Sequence, residues 1–284
     1  MSDLGLKGRS LLCLTDLTGE EIEYILMLSR RVKELARIGI KSIEHLNGAN
    51  IALIFQKPST RTRVSFEVAI RQLGGNPIYL SWRELQLARG ETVEDTARVL
   101  SRYVDGIIAR VYQHRHLEIF VEHFDGPVIN ALSDMYHPCQ AIADIFTLQE
   151  HFGKLRGLKL AYIGDGYNNV THSLIIAAAQ TGMSIVVASP KDYMPAEEVV
   201  KKALRIAEST GSTIILTEDP IEAVKDADAI YTDVFVSMGK EAEREKRLKD
   251  LWPYRVSKEL FEKAKEHTVF MHCGPWHLGE EVDP

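Results

Sequence analysis

Ser59-Thr60-Arg61-Thr62-Arg63 places three hydroxyls and two guanidinium groups within five residues. The run follows a short apolar segment, Asn50 to Phe55, and opens a helix. A helix start offers unpaired backbone N–H groups and a partial positive charge, and arginine grips phosphate bidentately. The pattern therefore reads as a phosphate cradle or as a solvated, capped helix start. The Gly-x-x-x-x-Gly-Lys frame of a nucleotide-binding loop is absent. Arg110 closes the apolar run Gly106–Ala109, at the carboxyl end of a strand, where it can reach a cleft or form a salt bridge. His137-Pro138-Cys139-Gln140 opens another helix, with Pro138 suited to the first turn. The helix dipole is expected to depress the His137 pKa and keep a neutral donor at pH 7. Gln140 lies one turn further on. The pair reads as a clamp for a carbonyl or amide, or as a helix cap with an incidental histidine.

Three sites follow in the second half. Gly164-Asp165-Gly166-Tyr167-Asn168-Asn169 resembles a dinucleotide fingerprint, but Asn169 occupies the third glycine position. The next strand ends in Ala188-Ser189-Pro190, without the acidic residue that reads a ribose, which argues against nicotinamide binding. Two asparagines at such a turn suit a polar small molecule. Asp233, with Ser237-Met238-Gly239 just beyond, can pair with a substrate ammonium or cap a turn. His272-Cys273-Gly274-Pro275 offers a thiol that is either reactive or ordinarily buried. His137, Cys139, His272 and Cys273 have no usual zinc spacing, so neither metal nor cofactor is expected.

The elements that must position these residues follow from periodicity. Thr18-Gly19-Glu20-Glu21 is a capping box. Strands are expected at 50–55, 77–80, 106–110, 127–130, 158–163, 185–188, 213–216, 229–232 and 268–271. Helices are expected at 60–73, 93–103, near His116, and at 138–152, 169–180, 196–209, 221–226, 241–249 and 258–265. Short continuous apolar strands alternating with helices predict parallel sheets covered on both faces. The rhythm restarts after Gly153. The fold class is therefore α/β, with two doubly wound domains and a ligand cleft between them at strand carboxyl ends. The expected domains are 1–135 and 136–284, with residues 136–152 as the linking helix. A length of 284 residues fits two domains at ~150 residues each. Lys plus Arg is 34 against 40 Asp plus Glu, a formal net charge of −6, which excludes a general nucleic-acid binder. Three cysteines form no disulfide framework and fit a reducing cytoplasm. No apolar run approaches the ~18 residues of a membrane span, and the amino terminus is too polar for a signal peptide.

Taken in order, Ser-Thr-Arg-Thr-Arg (59–63), Ala-Arg-Val-Tyr (109–112), His-Pro-Cys-Gln (137–140), Gly-Asp-Gly-Tyr-Asn-Asn (164–169), Asp-Val-Phe-Val-Ser-Met-Gly (233–239) and His-Cys-Gly-Pro (272–275) resemble the ornithine carbamoyltransferases over nearly the whole chain. The resemblance implies that the first domain binds carbamoyl phosphate and the second binds ornithine. It implies that Ser59, Thr60, Arg61, Thr62 and Arg110 hold the phosphate, with Gln86 a further contact. His137 and Gln140 would grip the carbamoyl carbonyl and amide. Asn169, Asp233, Ser237 and Met238 would bind the α-amino and α-carboxylate groups of ornithine. Cys273 would lie beside the reacting amine, and the backbone carbonyl of Gly274 would touch the carbamoyl group. Arg110, His137 and Cys273 would be the catalytic set. A homotrimer, or a higher assembly of trimers, is implied as well.

The sequence departs from the family pattern at Gly274, where leucine is usual, and at Trp276-His277-Leu278. The family also continues through a last strand and a return helix carrying another phosphate-site arginine, whereas this sequence stops at Pro284. Two alternatives follow. One is a carbamoyltransferase for another amine, such as putrescine or an acylated ornithine. The other is a non-catalytic relative that only binds ligand.

Overall fold

The computed structural model describes residues 4–237 and 239–284, and the Met238 of the ornithine-site expectation lies outside them. The described chain divides into two compact units, 1–139 and 140–284.

The first unit runs α1 (Gly19–Arg37), β1 (Asn50–Phe55), α2 (Thr60–Gln72), β2 (Asn76–Ser81), α3 (Val93–Leu100), β3 (Gly106–Arg110), α4 (His114–His123) and β4 (Val128–Leu132). The strands are all parallel, in the order β2-β1-β3-β4. Alternation along β1 explains the layering, because successive side chains face opposite sides of a sheet. Ala52 and Ile54 join Ala97, Leu117 and Phe120 of α3 and α4 on one face. Ile51, Leu53 and Phe55 join Phe66 and Ile70 of α2 on the other. Full burial of one such side chain contributes roughly 1.5–3 kcal/mol. The capping box at Thr18 and Glu21 is formed, with each side chain bonded to the other residue's backbone N–H.

The second unit runs α5 (Pro138–Phe152, begun in the first), β5 (Lys159–Ile163), α6 (Asn169–Thr181), β6 (Ser184–Ala188), α7 (Glu197–Thr210), β7 (Ile214–Thr217), α8 (Pro220–Val224), β8 (Ala229–Thr232), α9 (Arg244–Leu251), α10 (Lys258–Phe261) and β9 (Val269–His272). Its parallel sheet has the order β7-β6-β5-β8-β9. Ala161, Ile163, Val186 and Ile230 pack with Val224 of α8 and Leu260 of α10. Every residue of α6 except Asn169 and Gln180 is buried.

Differences from expectation lie at element ends. The helix expected near His116 runs from His114 to His123, and the strand expected at 127–130 continues to Leu132. The helix expected at 241–249 begins as a tight turn, Glu241–Glu243, before α9. The helix expected at 258–265 stops at Phe261. Among the described residues, no helix is long and apolar enough to cross a membrane.

Candidate active site

In the first sheet, the chain passes from β1 to β2 on one side and returns to β3 on the other. The carboxyl ends of β1 and β3 therefore flank a topological switch point, where loops diverge and leave room for a ligand. Phe55 pairs with Arg110 across this point, so the loop to α2 and the Arg110 side chain emerge together. The β3–β4 register skips one residue between Ala109 and Arg110, an irregularity that re-aims a side chain. Ser59 caps α2 by accepting from the Thr62 N–H at 3.4 Å. The Ser59 hydroxyl donates to Thr62 Oγ1 at 3.0 Å. Arg110, itself buried, donates from Nη1 to the same oxygen at 2.9 Å. Two strand ends and a helix start are thus tied into one donor-rich cluster, with Thr60 and Arg61 exposed on the first turn of α2.

Arg63, counted with the cradle in the sequence, is committed elsewhere. Its guanidinium lies 3.6 Å from the Tyr79 ring centre and pairs with Glu67 at 2.7 Å. Gln86 sits exposed on the short turn Gln86–Arg89, and its side chain makes no hydrogen bond among the described residues.

His137 is held by the loop after β4. Buried Asn130 donates from Nδ2 to the carbonyls of Leu12 at 2.8 Å and Tyr136 at 3.2 Å. Burial pushes the His137 pKa down to about 3, and the Arg110 cation adds to the shift. The imidazole is neutral, as the sequence predicts, but desolvation rather than the helix end is the main cause.

The second sheet repeats the geometry with opposite chemistry. Its switch point lies between β5 and β8, which the Gly164–Asn169 turn and Asp233 follow, while Cys273 follows the neighbouring edge strand β9. Gly166 is required because an added Cβ would lie 2.8 Å from the Tyr193 carbonyl oxygen. The glycine thus serves internal packing rather than an approaching pyrophosphate. Asp233 is buried; its Oδ2 accepts from Asn168 Nδ2 at 2.9 Å and its Oδ1 from the Cys273 thiol at 3.1 Å. Asn168 also donates to Ser237 Oγ at 3.5 Å. Asn169 begins α6, and Asn168, an asparagine the ornithine-site expectation did not name, joins Asp233 and Ser237. Its position as a cap two residues before Val170, whose N–H it accepts at 2.7 Å, was the available sequence signal. Asp233, His272 and Cys273 place potential ligand atoms within 4.8 Å of one another, and the thiol-to-carboxylate hydrogen bond accounts for much of that closeness. Gly274 has φ 67, a conformation that glycine adopts without strain.

Two buried acids complete this half: Asp144, which carried no sequence signal, and Asp165, whose motif the sequence singled out without a role for the acid. Asp165 pairs with buried Arg247 at 2.7 Å, and Arg247 also donates to the Phe235 carbonyl at 3.3 Å, bracing the segment that carries Ser237. Burial raises the Asp165 pKa to about 6 against the pull of Arg247. Asp144 accepts from Gln140 and Tyr231, and burial raises its pKa to about 7.

A donor-rich cluster suited to an oxyanion at one switch point, and a carboxylate suited to an ammonium at the other, define a two-unit α/β protein for an anionic and an aminated small molecule. The chain belongs to the aspartate/ornithine carbamoyltransferase family. Residues 9–150 match the family's carbamoyl-phosphate-binding domain, and residues 156–284 match its aspartate/ornithine-binding domain. The ornithine carbamoyltransferase of Thermococcus kodakarensis is 54% identical over 279 residues, covering 98% of this chain and 88% of the relative. The anabolic ornithine carbamoyltransferase of Pyrococcus furiosus is likewise 54% identical over 279 residues, with the same coverage. The solved structure of the Pyrococcus furiosus ornithine carbamoyltransferase gives a TM-score of 0.93, covering 98% of this chain and 88% of that one. The anabolic enzyme of Campylobacter jejuni gives 0.89 at 38% identity, covering 97% and 89%.

Proposed function

We infer that this chain transfers the carbamoyl group of carbamoyl phosphate to the side-chain amine of L-ornithine, giving L-citrulline and phosphate in arginine biosynthesis. The observation that carries the reading is the Arg110–Thr62–Ser59 cluster at the first switch point, beside a histidine held neutral. Ser59, Thr60, Arg61, Thr62 and Arg110 bind the phosphate, and Gln86 adds a contact when ligand is present. His137 and Gln140 take the carbamoyl carbonyl and amide, and the Gly274 carbonyl touches the same group. Asp233, Ser237, Asn169 and Met238 bind the amino-acid end of ornithine, and Asn168 joins them through Asp233. Residues 1–135 form the carbamoyl-phosphate domain and 136–284 the ornithine domain. The protein works in the cytoplasm as a homotrimer or an assembly of trimers.

The chemistry asks for position and charge more than for a nucleophile. The ornithine side-chain amine, with a solution pKa near ~10, must shed a proton before it attacks. The C–N bond forms, the C–O bond to phosphate breaks, and the proton lost by nitrogen is carried off with the phosphate or solvent. Arg61, Arg110 and neutral His137 are donors for the charge that develops on the carbonyl oxygen and the leaving group. Cys273, whose thiol is bonded to Asp233, orients the amine and is not a covalent nucleophile. Holding the two substrates in line supplies the remaining acceleration.

Citrulline formation by the purified chain tests this reading, with putrescine and N-acetylornithine as competing acceptors. Turnover with free ornithine far above both supports it. Tight binding of a phosphonoacetyl-ornithine bisubstrate analogue without citrulline would assign the chain to the non-catalytic alternative.

A further inference from the structure

Gln140 and Asp144 stand one turn apart on α5, and both Asp144 oxygens are engaged. Gln140 Nε2 donates to Oδ1 at 2.9 Å, and the Tyr231 hydroxyl donates to Oδ2 at 3.0 Å. Asp144 is 6% exposed and Tyr231 0%. The ionised carboxylate, the form of Asp144 that prevails above about pH 7, only accepts hydrogen bonds, whereas a glutamine amide can turn over and present either end. Burial and nearby negative charge hold the Tyr231 phenol well above its ordinary pKa, so it keeps its proton and offers it to Asp144. With Oδ2 occupied, Oδ1 can be satisfied only by the –NH2 end of Gln140. The Gln140 carbonyl oxygen must then face away from Asp144, as an acceptor.

We propose that Asp144 is a positioning residue that, braced by Tyr231, fixes the polarity of Gln140 so that it accepts from the –NH2 of a carbamoyl group and disfavours an acyl methyl in its place. The proposal rests on the reading that Gln140 meets the carbamoyl group. Asp144 itself touches no substrate; it decides which end of Gln140 does. An unfixed glutamine turns its own –NH2 outward part of the time, and two –NH2 groups facing each other cannot bond.

The test compares two phosphonates by calorimetry on the full chain at a pH above 7, where Asp144 is ionised: phosphonoacetamide, which carries the –NH2, and acetonylphosphonate, which has a methyl group there. The native chain is expected to favour the amide by about fivefold or more, the scale of one hydrogen bond. In Asp144→Leu the ratio falls to about one through loss of affinity for the amide compound. A merely structural role would weaken both compounds alike and leave the ratio standing. If Asp144→Leu does not fold, Asp144→Asn, whose oxygen takes the Tyr231 proton and whose –NH2 then faces Gln140 and turns it over, lowers the ratio at least about twofold. An unchanged ratio in the folded leucine variant, or in the asparagine variant where leucine is not tolerated, overturns the proposal while leaving carbamoyl-phosphate binding intact. If the native chain binds neither compound, the underlying functional reading fails, and this inference fails with it.

Discussion

The two units solve the same topological problem with opposite electrostatics. In each, a parallel sheet reverses its strand order beside its first strand, and the loops at that reversal carry the polar residues. The first unit gathers cations and hydroxyls at the start of α2, of whose residues only Ile70 is buried. The second gathers carboxylates beside α6, which is buried almost throughout. A cationic cradle tolerates an exposed helix because Thr60 and Arg61 at its start are hydrated without ligand, while buried Arg110 is held by Thr62. Buried carboxylates need the opposite, a dry scaffold with a donor for each oxygen, because an unpaired buried charge is costly. Hence Asp233, Asp144 and Asp165 each have named donors, whereas Arg61 stands at the surface.

The largest expected effect breaks the second unit alone. Arg247→Met strips Asp165 of its buried partner and should cost ~3–5 kcal/mol, read by chemical denaturation. A loss below ~1 kcal/mol would show that the pair does not hold the dry half together.

Next comes a pair of substitutions that separates the two ligands. Arg61→Ala should weaken carbamoyl-phosphate binding by roughly 10- to 100-fold, the scale of a charge-assisted hydrogen bond. Asp233→Asn should raise the ornithine requirement by a similar factor while sparing carbamoyl phosphate. Steady-state kinetics with each substrate varied in turn would expose any crossover, which would undo the division of labour.

The units should also respond oppositely to pH. His137 has a depressed pKa, so the unfolded chain binds more protons between about 3 and its ordinary value. Stability from that group therefore grows as pH rises through this window and is lost toward acid. Asp144 has a raised pKa, so the folded chain holds more protons between its ordinary value and about 7, and stability from it falls as pH rises there. Gln140 and Tyr231 favour its charged form, as does His272, while Asp233 opposes it. Each group contributes at most about 1.4 kcal/mol per pH unit. Hydrogen exchange resolved by unit should show the two slopes, with His137→Gln flattening one and Asp144→Asn the other. Parallel slopes in both units would contradict this assignment.

The smallest effect sharpens the cradle. Arg63→Gln should leave carbamoyl-phosphate affinity within about twofold, because its guanidinium is already engaged by Glu67 and Tyr79. A loss as large as that of Arg61→Ala would return Arg63 to the phosphate site.

The sequence by itself determined the strands, the two-unit α/β architecture and the motif residues at strand ends, because hydrophobic period, caps and turn chemistry are local properties. It also carried the neutrality of His137, although through the wrong dominant cause. Only the tertiary structure decided which members of each motif act together. Arg110 joins Thr62 from 48 residues away, Asn168 reaches Asp233 across 65, and Tyr231 meets Asp144 across 87. Arg63 and Arg61 are two residues apart in one motif and both exposed, yet only the fold sets the Arg63 guanidinium against Tyr79. Desolvation and hydrogen-bond pairing depend on neighbours that chain order does not encode. For that reason Asp144 and Arg247, silent in the sequence, and Asp165, given no role there, emerge among the buried charged residues of the second unit.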